Sequence, residues 1–353
     1  MTLPQLIAIR LSVGVTLSVA LSYGMAWPLS YMAPIFVAMF LMMPIPWIGW
    51  KNAMKLMRRL AVGLLGGLLI SEYCLQLPLF CVPLYYLIFF YIFYNDATAP
   101  PMATLFMMLG VTMVPILGLL TPVASHYIVA YLSVNMMMGL VFMWLMHRLL
   151  PNSKAVMPKV AAKKQAAPKP PSKEVRLRLV MVSTIVAGSA VLIFFTLNLQ
   201  QFALAMLYIC MMAGTPQTNA SLQVMKANSI ACIIGGVAVV VAYNLLVAVP
   251  TYPFLIVLTL LFCLLFSARI VRGDKWSKSW GSGLTTFLVL LGSSTTGDSS
   301  ASSNVYLRIF QVLFAGLFTI FAIAAVEYLI RIGAALVRRW RLRLERLRID
   351  FAK

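Results

Sequence analysis

Whatever chemistry this chain performs rests on very few groups. It holds eight acidic residues and two histidines in 353. Those in or beside apolar stretches matter most, because an ionised side chain at a helix centre costs roughly 2.5–3.5 kcal/mol on insertion scales. Arg308, Arg10 and Arg59 are the candidates for holding an anion, and Glu72, Asp96 and Asp298 are the candidates for carrying a proton. Arg308 stands just inside the last apolar stretch, where two readings are open. Either it binds an anion or pairs with Glu72 or Asp298, or its head snorkels to the lipid headgroups. Glu72 ends the third stretch and either titrates there or acts as a solvated cap. Arg10, Arg58, Arg59 and Asp96 fall near one membrane face. There they either form an entrance that attracts carboxylates or anchor helix ends in the interface. Asn135, Asn244 and Gln311 are uncharged polar groups within apolar stretches, suited to hydrogen bonds between helices.

Enzymatic chemistry has no footing in these residues. No Gly-rich loop ending in GK[ST] is present to cradle a nucleotide phosphate. His126 and His147 fall on opposite membrane faces, so no Ser-His-acid or metal constellation can include both. The five cysteines contain no CxxC pair and read as small apolar filler. Cys74 and Cys81 flank one outer hairpin, where a disulfide is the alternative. No metal or cofactor is expected.

The elements that must position these residues follow from composition. The chain is 62% hydrophobic and 10% charged, with a mean hydropathy of +0.94. A soluble domain of this length needs far more polar surface, whereas a bilayer accepts helices of roughly 20 apolar residues. Stretches bounded by Pro, Gly or charge predict about twelve spans: 5–26, 30–49, 57–77, 78–95, 101–120, 126–149, then 177–197, 201–215, 227–248, 252–271, 280–293 and 304–331. Residues 5–26 read as a retained helix rather than a removed signal.

The net charge of +20 points to membrane orientation rather than nucleic acid. With the N-terminus inside, every one of the 28 Lys and Arg residues except Arg308 falls on the cytoplasmic side, as the positive-inside rule requires. Both termini are therefore expected in the cytoplasm. Residues 151–175, rich in Lys, Ala and Pro, cannot bury enough apolar surface to fold and read as a cytoplasmic linker. Residues 336–353 read as a basic amphipathic tail on the inner leaflet. Two membrane domains remain, 1–150 and 176–335.

Those domains repeat one another. MKLMRRLAVGLLGGLL (54–69) aligns with QVMKANSIACIIGGVA (223–238), setting Gly66–Gly67 on Gly235–Gly236. The following stretches align in the same order, and Gly139 of the sixth falls on Gly316 of the twelfth. Six spans per half make a parallel repeat about an axis along the membrane normal. The interrupted spans 30–49 (Pro34, Pro44, Pro46) and 201–215 correspond in it. Interrupted helices at membrane depth are tolerated beside protein or a water-filled cavity, so the expected path lies between the halves beside these two.

WPLSYMAPIFVAMF (27–40) followed by RRLAVGLLGGLL (58–69) resembles the fusaric-acid-resistance (FUSC) and aromatic-acid-exporter superfamily, in a short two-repeat form without large cytoplasmic domains. Arg10, Tyr31–Ala33, Arg59 and Gly66–Gly67 carry the resemblance; the second half keeps Arg178, Gly235 and Gly236 but has Asn228 in place of Arg59. The resemblance implies a multi-pass protein of the bacterial inner membrane. It would export small aromatic or amphipathic carboxylates, driven by the proton gradient. It also implies a periplasmic adaptor of the membrane-fusion type as partner, an outer-membrane channel beyond it, and room for a homo-oligomer. An anion channel of the malate type and a non-transporting accessory subunit are the rival readings.

Overall fold

The computed structural model describes residues 3–26, 29–42, 47–75, 77–96, 101–119, 122–151, 173–197, 218–274 and 276–296, together with residues 199, 206, 209–210, 213, 310, 314, 317–326 and 328. Asp298, Arg308, Gln311, residues 152–172 of the expected linker and the whole expected tail lie outside them.

Helices account for nearly all of what is described, as lipid demands of a chain whose backbone groups must satisfy each other within one segment. In chain order they are α1 (Leu3–Gly24), α2 (Met32–Leu41), α3 (Trp50–Leu69), α4 (Pro78–Asp96), α5 (Pro101–Gly118), α6 (Pro122–Leu149), α7 (Lys173–Thr196), α8 (Thr218–Ala248), α9 (Tyr252–Val271), α10 (Ser277–Thr296) and α11 (Leu317–Val326). Five stretches among them are long and apolar enough to cross a membrane: Leu3–Gly24, Ser125–Leu149, Lys173–Thr196, Ala227–Ala248 and Tyr252–Val271. The chain is an all-α protein of multi-pass membrane type.

Several elements differ from expectation, among them α8, which starts at Thr218, well before residue 227. α3 starts at Trp50, well before residue 57, behind Gly49 at φ 77°. Lys51, Lys55 and Arg58 ride its exposed face, since long basic side chains reach the interface without breaking a helix. Beyond Leu69 it continues as a π-helical turn, Ile70–Cys74, which carries Glu72. α2 is only ten residues long, with Pro34 near its start, where a missing N–H costs little. α7 begins at Lys173, so the last residues of the expected linker are already helical.

Glycines set the closest helix contacts. A Cβ on Gly67 would overlap the Gly110 carbonyl of α5, and one on Gly63 would come within 2.6 Å of the Met107 carbonyl. In α8 and α10 the same kind of approach recurs, with a Gly235 Cβ 2.6 Å from the Gly283 carbonyl. Small residues let backbones meet where lipid supplies no hydrophobic drive for association. Gly66, by contrast, faces open space, so the contact matches Gly67 to Gly235, one residue off the alignment read from the letters.

Pairings across the chain interlock its two parts. α1 packs on α9, and α4 packs on α7. One apolar core joins α1, α2 and α6 to α9 and α10; a second joins α4 and α5 to α7 and to Met206, Ile209 and Cys210. When Arg10 is set on Val182, every buried position of α1 has a buried counterpart in α7: Leu11 on Ser183, Val15 on Ala187, Ser18 on Ala190, Ser22 on Phe194. Arg178 is exposed. The counterpart of the buried Arg10 is a valine.

Candidate functional site

The helix bundle has two chemically distinct ends. At one end lie the starts of α1, α3, α7 and α10 and the finishes of α4, α6 and α9. Arg148 stacks over Trp144 at 5.4 Å, Arg176 over Tyr94 at 4.7 Å and Arg269 over Trp280 at 5.7 Å. Trp50 joins Trp47 and Trp144 there. Arginine with tryptophan and tyrosine in one layer is the composition of a membrane–water interface.

Arg10 stands inside this layer, 3% exposed. One of its terminal nitrogens donates to the carbonyl of Leu150, just past the end of α6. A helix C-terminus leaves carbonyls unsatisfied and carries negative partial charge, so a guanidinium is well placed there. That bond leaves Nε buried with no hydrogen-bond partner among the described residues. Two residues on, Ser12 Oγ lies 3.0 Å from Ser267 Oγ of α9, so α1 is held on both flanks at this end. Arg59 is half-buried on α3. Asp96 is the last residue of α4. The structure thus puts Arg10, Arg59 and the end of α4 that carries Asp96 at the basic end.

At the opposite end a different pair meets. Glu72, in the π-helical turn after α3, accepts from His126 near the start of α6, Nε2 to Oε1 at 2.8 Å. The pair is open to solvent, His126 58% and Glu72 33% exposed. Single π turns in α-helices cluster at functional positions. This one is braced by Gly118 at the end of α5, where a Cβ would overlap the Ser71 hydroxyl. Sequence reasoning missed His126 because it sought two histidines on one face. The signal was present: alternating spans place Glu72 and His126 at the same outer end.

Other expectations come out differently. Asn135 and Asn244 bond within their own helices, to the Tyr131 and Val240 carbonyls, rather than between helices. No disulfide joins Cys74 to Cys81. Among the described residues no three His, Cys, Asp or Glu side chains gather as metal ligands would.

Residues 7–146, from within α1 to within α6, match the family model described as "protein of unknown function (DUF2955)". No curated protein and no solved structure matches the chain.

Proposed function

We propose that the chain is a proton-coupled exporter of small aromatic or amphipathic carboxylates in the bacterial inner membrane, of the FUSC and aromatic-acid-exporter type. The observation that carries this reading is the Arg10 guanidinium, buried at the basic end with its Nε–H lacking a hydrogen-bond partner among the described residues. A fixed cation buried among apolar side chains is costly unless it is paired, and a carboxylate is the natural partner for its planar donors. Glu72 with His126 at the other end supplies a place for the coupling proton. Arg59 and Asp96 serve the cytoplasmic entrance, and Arg308 and Asp298 the outer side.

The architecture proposed with it is twelve spans in two parallel six-helix repeats with both termini cytoplasmic. The matched pairs α3–α5 and α8–α10 support it, as do the crossed pairs α1–α9 and α4–α7 and the shared burial register of α1 and α7. A periplasmic membrane-fusion-type adaptor is the proposed partner, feeding an outer-membrane channel.

The test is uptake of labelled benzoate into everted vesicles under an inside-acid pH gradient. Accumulation above equilibrium, abolished by a protonophore, is expected. Equilibration without accumulation would favour the anion channel, and no flux at all the accessory subunit. At matched membrane abundance, normal efflux in Arg308→Ala would remove Arg308 from the mechanism and leave the internal arginines as the anion site.

A further inference from the structure

We infer that one face of α1, the stripe Arg10–Gly14–Ser18–Ser22 with Asn135 of α6, is a hydrated track inside the first half that leads from the outer end to Arg10. Its residues recur every fourth position, so they wind slowly along one side of the helix. That side looks into the seam of α1, α2 and α6. A Cβ on Gly14 would meet Leu41 of α2 at 2.5 Å and Met146 of α6 at 2.9 Å, and one on Gly139, a turn from Asn135, would meet Phe36 of α2 at 2.7 Å.

The observation that points to a ligand is a set of orphaned atoms. Arg10, Ser18, Ser22 and Asn135 are 3%, 1%, 1% and 0% exposed, yet Arg10 Nε, Ser18 Oγ, Ser22 Oγ and Asn135 Oδ1 have no hydrogen-bond partner among the described residues. Buried polar atoms are nearly always bonded, and exceptions call for an unseen water or ion. Such atoms at membrane depth are more costly still. Ser12 and Thr16, on another side of the same helix, are satisfied: Thr16 Oγ1 donates to the Ser12 carbonyl at 2.8 Å, and Ser12 Oγ donates to that of Ala8 at 2.8 Å. Ser18 and Ser22 have no such bond. From Arg10 to Ser22 the stripe runs roughly 18 Å at the helical rise, too long for one small molecule and suited to a file of waters. The track lies within the first half, whereas the two interrupted spans had suggested a path between the halves. It rests on the exporter reading only for what travels along it.

The test is reaction of Ser18→Cys and Ser22→Cys variants with the anionic reagent 2-sulfonatoethyl methanethiosulfonate, added to whole membranes and counted by intact-protein mass against the unsubstituted chain. Thiolate forms only in contact with water, so both variants should react at least tenfold faster than Leu17→Cys, whose side chain is exposed on α1 outside the stripe. A second measurement covers a variant that folds poorly. If water satisfies the hydroxyls, Ser18→Ala and Ser22→Ala should leave the melting temperature unchanged or lower it. If the seam is dry, removing an unbonded hydroxyl relieves a desolvation penalty and raises it. Silence of either cysteine variant in a folded protein, or a raised melting temperature in both alanine variants, would overturn the track. Labelling requires no transport, so a wet track without benzoate flux would sink the exporter reading alone.

Discussion

Arg10 and the Glu72–His126 pair differ in what their removal should do, because one is buried and bonded to backbone while the other is solvated. Arg10→Ala strips the Leu150 carbonyl of its donor and should cost about 1–3 kcal/mol, the usual penalty for an orphaned buried group, read as an earlier melting transition. Arg10→Lys keeps a charge but loses the fork of donors that fits a carboxylate. It should retain most of the stability and lose most of the benzoate flux. Exposed ion pairs contribute about 0–1 kcal/mol, so Glu72→Gln and His126→Ala should melt close to the parent protein. Their accumulation of benzoate under a pH gradient should nonetheless collapse, while exchange without a gradient persists. Parental accumulation in both would remove the pair from coupling.

Between elements, the sharpest contrast is that of two adjacent glycines. Gly67→Ala drives a Cβ into the α5 backbone, which cannot swing aside as a side chain can, whereas Gly66→Ala meets nothing within 4 Å. Melting in detergent should show a clear loss for Gly67→Ala and for Gly235→Ala. Gly66→Ala should be neutral or up to about 1 kcal/mol stabilising from helix propensity. Equal behaviour of Gly66 and Gly67 would contradict the packing of α3 on α5. The same pair marks the limit of what the letters convey. Long apolar runs such as Leu3–Gly24 and Tyr252–Val271 are legible because lipid imposes their length and composition. A Gly-Gly pair repeated at a distance identifies the matching helices, but identical letters cannot say which glycine touches, and a one-residue slip turns the helix face by 100°. The early start of α3 at Trp50 was hidden because Lys51, Lys55 and Arg58 interrupt the apolar run without interrupting the backbone. Arg10 was visible as a charge in an apolar stretch. Its acceptor was not, because a main-chain carbonyl has no signature in sequence.

At the scale of the whole molecule, the basic aromatic layer lies at one end and the Glu72–His126 pair at the other, and it is the distribution of Lys and Arg along the sequence that assigns the basic end to the cytoplasm. Reporters fused near Lys164 and at the C-terminus should read cytoplasm, and one near Ser300 should read periplasm. A periplasmic signal from either basic segment would reverse the bundle and move Arg10 to the wrong face for export.

The exchange of partners between α1 and α9, and between α4 and α7, has a consequence for biogenesis. Chain emerges from the ribosome at about 5–20 residues per second, so α1 enters the bilayer many seconds before α9 exists to cover its Ser12 face. The first six helices must wait in lipid with that polar seam unsheltered, open to quality-control proteolysis. Cutting the gene within residues 152–172 and expressing the pieces together should therefore restore a stable pair that copurifies. The first piece expressed alone should be short-lived, with a half-life measured by pulse–chase several times below that of the intact chain. Equal persistence of the lone first piece would show that it matures without help from its other half.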